Sequence, residues 1–127
     1  MILITGGAYQ GKTAYAQAHV PYEMTDGSCC AFDEVKRAKI LKNYHILVRR
    51  LIDADMDAEA FTQELCAENP ACIILIDEIG SGIIPLEKSE RIWRETVGRC
   101  GCIIAAHADS VIRLVCGIPT PLKGALL

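Results

Sequence analysis

The amino-terminal segment, residues 1–19, constrains the fold of this chain more than any other stretch. Met1–Thr5 is a short apolar run of strand-forming residues, and it leads directly into Gly6-Gly7-Ala8-Tyr9-Gln10-Gly11-Lys12-Thr13. The alanine-rich segment 14–19 that follows is typical of an α-helix. A strand, a glycine loop and a helix in this order predict an α/β domain in which the loop joins the first strand to the first helix.

The loop has the spacing G-x-x-x-x-G-K-[ST], which is typical of phosphate binding when a strand precedes it and a helix follows. Glycines allow bare N–H groups to approach phosphate oxygens, and the helix amino terminus adds partial positive charge. We expect Lys12 to reach the β- and γ-phosphates of ATP or GTP and the Thr13 hydroxyl to bind Mg²⁺. The competing interpretation is an N-terminal hairpin with a glycine turn and a surface lysine. The predicted nucleotide-binding residues of the loop are Gly6, Gly7, Ala8, Tyr9, Gln10, Gly11, Lys12 and Thr13.

A second motif is the apolar run 71–76, which ends in Asp77 and Glu78. A strand that is apolar along its whole length is typical of a parallel sheet covered on both faces. Acids at the carboxyl end of such a strand lie at the sheet edge where ligands bind, so we expect Asp77 to hold Mg²⁺, partly through water. Glu78 is then placed to orient or deprotonate an attacking hydroxyl. The alternative is a strand end capped by two solvated acids.

Composition limits the remaining possibilities. A chain of 127 residues predicts one domain, over residues 1–127, and 51% hydrophobic residues in so small a chain predict burial of apolar surface in a homo-oligomer. The net charge of −3 and the absence of a basic tract argue against nucleic acid as a partner. No apolar run is long enough to predict a membrane span or a secretory signal. The seven cysteines form no C-x-x-C pair, which favours reduced thiols in a cytoplasmic protein over a metal site.

The rest of the chain alternates between predicted helices and strands. In the segment from Asp33 to Asp53, Ala38, Leu41, Tyr44, Val48 and Leu51 recur at helical spacing. Gly98 and Gly101 interrupt a long predicted helix, which suggests close packing or a local kink. The fold class that follows is a P-loop NTPase-like three-layer α/β domain with a small, mostly parallel sheet. The predicted elements after the first helix are a short strand at 28–32, helices over about 33–53, 57–67 and 86–107, a last strand over 110–117 and an extended tail.

Three stretches together resemble one family, the bifunctional adenosylcobinamide kinase/adenosylcobinamide-phosphate guanylyltransferases of cobalamin salvage and synthesis. The first is Ile2-Leu3-Ile4-Thr5-Gly6-Gly7-Ala8 through Lys12, and the second is Glu78-Ile79-Gly80-Ser81-Gly82-Ile83-Ile84-Pro85. The third comprises Gly98-Arg99, Ala105-Ala106 and Ala108-Asp109 ahead of Val115-Cys116-Gly117-Ile118. The resemblance covers the first twenty residues and most of the stretch 73–123. The second stretch is the more specific one, because the glycine loop is generic.

The resemblance implies a P-loop domain in a ring-like oligomer, with nucleotide sites near subunit contacts. It implies that the loop 6–13 binds the triphosphate and that Glu78 with Gly80 to Pro85 lines the active site, where Gly80, Ser81 and Gly82 are predicted to bind the nucleotide. Members of the family phosphorylate the aminopropanol hydroxyl of adenosylcobinamide and then transfer GMP to that phosphate through a guanylated histidine. A corrinoid is therefore the expected substrate.

The chain departs from the family pattern after its first helix. The family carries there a second strand, a helix with the histidine, and a basic stretch containing tryptophan, and this chain is too short to contain them. His45 is the only histidine in this region, and its place near a predicted buried stripe favours a core or interface role over that of a phosphoramidate nucleophile. We therefore expect kinase activity and doubt the guanylyltransferase activity. The alternatives are a non-catalytic nucleotide-binding sensor or partner module, and a P-loop kinase or NTPase with another small acceptor.

Overall fold

A computed structural model describes all residues, 1–127, and shows a six-stranded sheet between two layers of helices. The strands are β1 (Ile2–Gly6), β2 (Met24–Asp26), β3 (Ile40–Lys42), β4 (Ile73–Asp77), β5 (Ser110–Val115) and β6 (Ile118–Lys123). Their order in the sheet is β2-β3-β4-β1-β5-β6. All neighbouring pairs are parallel except β5 and β6, which form an antiparallel hairpin. The predicted α/β class with a mostly parallel sheet is confirmed.

The helices are α1 (Lys12–His19), α2 (Tyr44–Asp53), α3 (Ala58–Glu68) and α4 (Lys88–His107), with a 3₁₀ helix at Phe32–Arg37. The larger apolar core contains buried residues of α2, α3 and α4 against one face of the sheet. The smaller core lies on the other face, where Ala16 of α1 packs with Ile4, Leu75 and Ile112. The sheet is therefore covered on both faces, as the apolar sequence of β4 predicts.

The two central strands bring the two sequence motifs together. β1 pairs in parallel with β4, and this register sets Gly6 opposite Asp77. The N–H group of Glu78 donates to the carbonyl of Gly6 at 3.0 Å, which extends the pairing by one residue. The glycine loop and the two acids consequently leave the sheet at the same edge, which is where ligands bind in open parallel sheets.

The predicted helix over residues 33–53 is wrong. The structure divides this segment into the 3₁₀ helix, β3 and α2, and Asn43 begins α2 from a left-handed conformation with φ 57°. Ala38, Leu41, Tyr44, Val48 and Leu51 are all buried, so the pattern identified the buried positions but not the element. A three-residue strand followed by a helix can present the same spacing over a short window. The strand expected at 28–32 is also wrong, since β2 lies earlier, at Met24–Asp26.

The other predicted helices and strands agree with the structure within a few residues, except that the predicted extended tail forms the sheet strand β6. α3 begins after Asp57, whose side chain caps the helix by accepting a hydrogen bond from the N–H group of Ala60. α4 runs unbroken through Gly98 and Gly101, and a Cβ added at either position would meet no atom within 4 Å. Close packing is therefore not the reason for these glycines. No helix combines the length and the apolar character that crossing a membrane would require.

Candidate active site

The glycine loop forms an open cradle between β1 and α1. Gly6 has φ 151° and Gly11 has φ 97°, and a Cβ at Gly6 would lie 2.5 Å from the carbonyl oxygen of Leu114. No main-chain carbonyl accepts a hydrogen bond from the N–H groups of residues 7–14. Since unpaired backbone donors are rare, a run of them at a helix amino terminus is a ready site for an anion. The predicted strand–loop–helix arrangement is present, and the N-terminal hairpin alternative is wrong.

Lys12 lies folded beneath this cradle with only 8% of its surface exposed. Its Nζ donates to the carbonyl oxygens of Gly6 at 3.1 Å and Gly7 at 2.6 Å. The same nitrogen lies 2.7 Å from Oδ1 of Asp77, which is 23% exposed. A half-buried ion pair thus joins the two motifs that the sequence singles out. Gly6 and Gly7 hold the lysine at the base of the loop.

A cavity of about 480 Å³ opens above the loop. Residues 8–14 line it together with Leu75 and Asp77 from β4, and with Lys42 and Asn43 from the end of β3. The cavity therefore combines free amides, two lysines and a carboxylate, which suits a polyphosphate with an accompanying cation. The Thr13 hydroxyl and the Asp77 carboxylate both border it, and hard oxygen ligands of this kind fit Mg²⁺.

His45 contacts the carboxylate oxygen of Asp77 that Lys12 does not. The N–H group of Asp77 donates to Nδ1 of His45 at 3.3 Å, and Nε2 lies 3.4 Å from Oδ2 of the same residue. Burial lowers the pKa of His45; the Asp77 carboxylate opposes this shift and Lys12 adds to it. An imidazole that accepts a hydrogen bond at Nδ1 is neutral with its proton on Nε2. His45 is thus a buried support for Asp77.

Trp93 of α4 fixes His45 in turn. Its Nε1 donates to the carbonyl oxygen of His45 at 2.7 Å, and the guanidinium carbon of Arg49 lies 4.8 Å from the Trp93 ring centroid. Trp93 is partly buried and packs against the larger core. Trp93 thus connects α4, through His45, to Asp77 at the end of β4.

Glu78 faces a different part of the sheet edge. Arg113 on β5 binds it at both oxygens, with Nε 2.9 Å from Oε1 and Nη2 3.0 Å from Oε2. The Thr5 hydroxyl lies 3.5 Å from Oε1. A carboxylate has about four lone-pair sites, so these contacts leave capacity to accept a proton or a hydrogen bond from a further group. Glu78 is held in place but not saturated, and it is 29% exposed.

A second cavity of about 460 Å³ lies between this edge of the sheet and α4. Glu78, Gly80 and Ser81 border it, and so does Asp77, which is common to both cavities. Gly82, with φ 99°, borders neither cavity. The structure therefore brings Asp77 to the glycine loop but sets Glu78 and the predicted residues 80–81 in the adjoining space.

Sequence reasoning did not identify Lys42 and Asn43 as site residues. Asp26 positions both, since Nδ2 of Asn43 donates to its Oδ1 at 3.0 Å and Nζ of Lys42 lies 3.2 Å from its Oδ2. Desolvation raises the pKa of Asp26, but the hydrogen bonds from Asn43, Ser28 and Lys42 outweigh it and hold this pKa well below its usual range. The only signal in the sequence is the polar pair that directly follows Ile40 and Leu41. This pair points to the site only when residues 40–42 are known to form the strand β3.

Comparison with known proteins gives two matches. The model of the cobinamide kinase/cobinamide phosphate guanyltransferase family matches residues 38–122, about two thirds of the chain. This range contains Asp77, Glu78 and all of α4, and it begins after the glycine loop. The bifunctional adenosylcobalamin biosynthesis protein CobU of Salmonella typhimurium is 37% identical over 59 residues, which are 46% of this chain. The alignment spans 33%, about a third, of the length of that relative.

Proposed function

This chain belongs to the cobinamide kinase/cobinamide phosphate guanyltransferase family, and we propose that it is a nucleotide-dependent kinase of cobalamin biosynthesis or salvage that phosphorylates the aminopropanol hydroxyl of adenosylcobinamide. One observation carries the proposal: the unpaired amides of residues 8–14, Lys12 and Asp77 all meet at one cavity. Glu78 lines the cavity next to it. This is the arrangement that transfer of a terminal phosphoryl group needs, with donor and acceptor spaces adjoining at an acid pair.

In this mechanism the loop amides and Lys12 bind the phosphates of ATP or GTP and neutralise their charge. Lys12 begins in contact with Asp77 and two carbonyl oxygens, so it turns from Asp77 towards the γ-phosphate as the nucleotide binds. Thr13 and Asp77 would hold Mg²⁺, which supplies further charge neutralisation. Glu78, fixed by Arg113, accepts the proton of the attacking hydroxyl. Positioning and charge neutralisation provide most of the rate enhancement.

The proposed activity does not include guanylyl transfer. A phosphoramidate nucleophile needs an exposed ring nitrogen, and both nitrogens of His45 face Asp77 in a residue that is 6% exposed. His19 and His107 are exposed and keep a free Nε2, but neither borders the glycine-loop cavity or the cavity beside α4. Intact-mass measurement after incubation with GTP should show no covalent GMP. A stable GMP adduct would show that the chain retains the second activity.

The test of kinase activity is transfer of a labelled γ-phosphate from ATP or GTP to adenosylcobinamide. We expect the label on the corrinoid, and we expect Glu78→Gln to retain nucleotide affinity while its transfer rate falls by roughly 10²–10⁴-fold. Tight nucleotide binding without transfer to adenosylcobinamide would refute the assignment. A parallel panel of small alcohols separates this function from that of a P-loop kinase with another acceptor.

A second candidate is a non-catalytic nucleotide-binding module. Its support is that the alignment spans 33% of the curated relative, so most of that protein's length has no aligned counterpart in this chain. Such a module would need the loop and Lys12 but not Glu78. Nucleotide affinity with no phosphoryl transfer to any acceptor of the panel is its signature.

Self-association is part of the same proposal. The hairpin strand β6 forms one edge of the sheet and exposes Ile118 (67%) and Leu122 (60%), with Val115 (48%) beside them on β5. Exposed apolar side chains grouped on a small chain are typical of interaction surfaces. Sedimentation equilibrium should therefore report an oligomer, and a strictly monomeric protein would remove this part of the proposal.

A further inference from the structure

The cavity beside α4 has the character of a site for an organic molecule. Its volume is about 460 Å³, and its walls include the apolar side chains of Leu3, Ile76, Val97 and Ala105. Glu78 contributes a carboxylate at the sheet edge, and Asp77 connects this space to the glycine-loop cavity. Apolar walls with a few convergent polar groups are typical of small-molecule sites.

Two glycines of α4, Gly98 and Gly101, keep this cavity open. Both border it, and a Cβ at either position would meet no atom within 4 Å. Neither glycine has a positive φ, so the backbone does not require them. Glycine is the least favourable ordinary residue inside a helix. The consequence visible in the structure is free space, since any larger side chain at these positions would reduce the volume facing Glu78.

An apolar strip, residues 83–86, lies in the segment that connects the cavity residues Gly80 and Ser81 to α4. Ile83, Ile84 and Leu86 are 94%, 75% and 95% exposed. A shallow groove of about 330 Å³ includes Ile84 and shares Gly80 and Arg94 with the cavity, so the two surfaces are continuous. Large apolar side chains exposed together are typical of a surface that binds a partner or a ligand.

Resting on the proposed kinase function, we infer that the cavity receives the hydroxyl-bearing arm of the acceptor and that residues 83–86 cover part of its ring system. A space of about 460 Å³ holds a branched amide arm but not a macrocycle. The macrocycle therefore stays outside, where its apolar face meets the strip. The site selects a bulky acceptor with a flexible alcohol arm, and Gly98, Gly101 and Ile84 are its specificity-determining residues.

Equilibrium dialysis of adenosylcobinamide against the full chain tests this assignment independently of turnover. Gly101→Leu fills the cavity, and Ala106→Leu is its control because Ala106 is exposed on α4 outside the cavity. Ile84→Ser removes part of the strip, and Met56→Ser is its control, since Met56 is 42% exposed in the turn between α2 and α3. We expect Gly101→Leu and Ile84→Ser each to weaken corrinoid binding at least about tenfold, with both controls unchanged.

Nucleotide affinity and melting temperature are measured on the same variants. The nucleotide affinity should be unchanged in every variant. The melting temperature should also be unchanged, except that Gly101→Leu should raise it because leucine favours the helix. If Gly101→Leu fails to fold, Gly98→Ala and Ile84→Ser carry the test. Equal corrinoid affinity in all variants, or no corrinoid binding by the natural protein, overturns the inference. So does a change of oligomeric state with Ile84→Ser that leaves corrinoid binding intact, because the strip would then contact a second copy. Binding that follows the expected pattern without phosphoryl transfer refutes the kinase function and retains the site.

Discussion

Replacing Lys12 by methionine tests the glycine loop most sharply. Methionine keeps most of the length and apolar volume of lysine but has neither the charge nor the donors. In the structure the ammonium contacts Asp77 at 2.7 Å and the carbonyl oxygens of Gly6 and Gly7 at 3.1 and 2.6 Å. Binding of a triphosphate therefore exchanges one charged contact for another and does not create a contact where none existed.

This exchange sets the magnitude of the effect. A hydrogen bond to a charged group contributes about 1.5–3 kcal/mol. In the absence of nucleotide the Lys12 ammonium already has a charged partner in Asp77. We therefore expect the lower end of this range, about 1.5 kcal/mol of binding free energy, which is roughly a tenfold loss of affinity for ATP and GTP. Isothermal titration in magnesium buffer measures it. Lys39→Met is the matched control, since Lys39 is exposed just before β3, at the opposite edge of the sheet.

The result that would refute this reasoning is equal nucleotide affinity in Lys12→Met and the natural protein. The melting temperature of the variant shows whether a loss of affinity arises from a loss of folding. It should change little, because Asp77 is partly exposed and keeps His45 as a neighbour. A loss of affinity of the same size in Lys39→Met would show that net charge, and not the loop, determines binding.

Two further predictions concern stability. Burial lowers the pKa of His45 below its usual value of 6.5, so as the pH falls the unfolded chain takes up a proton before the folded one. The contribution of His45 to stability is therefore complete above pH 6.5 and decreases as the pH falls below it. His45→Gln should flatten this pH dependence in thermal melts between about pH 5 and 8. A steeper loss in the variant would contradict it. Gly6→Ala should lower the free energy of unfolding by at least about 2 kcal/mol in chemical denaturation, since its Cβ would lie 2.5 Å from the carbonyl oxygen of Leu114. Gly7→Ala is the control, because its Cβ would make only an ordinary contact at 3.5 Å. Equal stability of the two variants would contradict the account.

The parts of the fold that the sequence predicted are those governed by local patterns. The glycine loop needs only its own spacing and the flanking strand and helix to be recognised. β4 is apolar up to Asp77, with Glu78 directly after it, and α3 begins after Asp57, whose side chain caps it. In each case the residues that define the element lie within a few positions of one another.

The errors arose where the partner is distant in sequence. β3 is only three residues long, and it is stabilised by parallel pairing of Ile40 with Ile73 and Met24. A single sequence does not show such a partner, and the apolar spacing of the segment also fits a helix. Missing β3 hid Lys42 and Asn43 from the predicted site, and it left His45 without the neighbour, Asp77, that explains its burial.

The role of Arg113 was missed for the same reason. Its place opposite Thr5 depends on the pairing of β1 with β5, which joins residues more than a hundred positions apart. Only that register brings its guanidinium to Glu78. The acids were identifiable from the sequence, whereas the groups that orient them follow from the topology of the sheet.

The most direct test of the central claim is a crystal structure of the protein with Mg²⁺ and a non-hydrolysable ATP or GTP analogue. We predict phosphate oxygens within hydrogen-bond distance of the N–H groups of residues 7–14, Lys12 Nζ on the γ-phosphate, and the Thr13 hydroxyl and the Asp77 carboxylate facing the metal. A nucleotide bound elsewhere, with Lys12 still held by Asp77 and the carbonyls of Gly6 and Gly7, would contradict the assignment of the glycine loop.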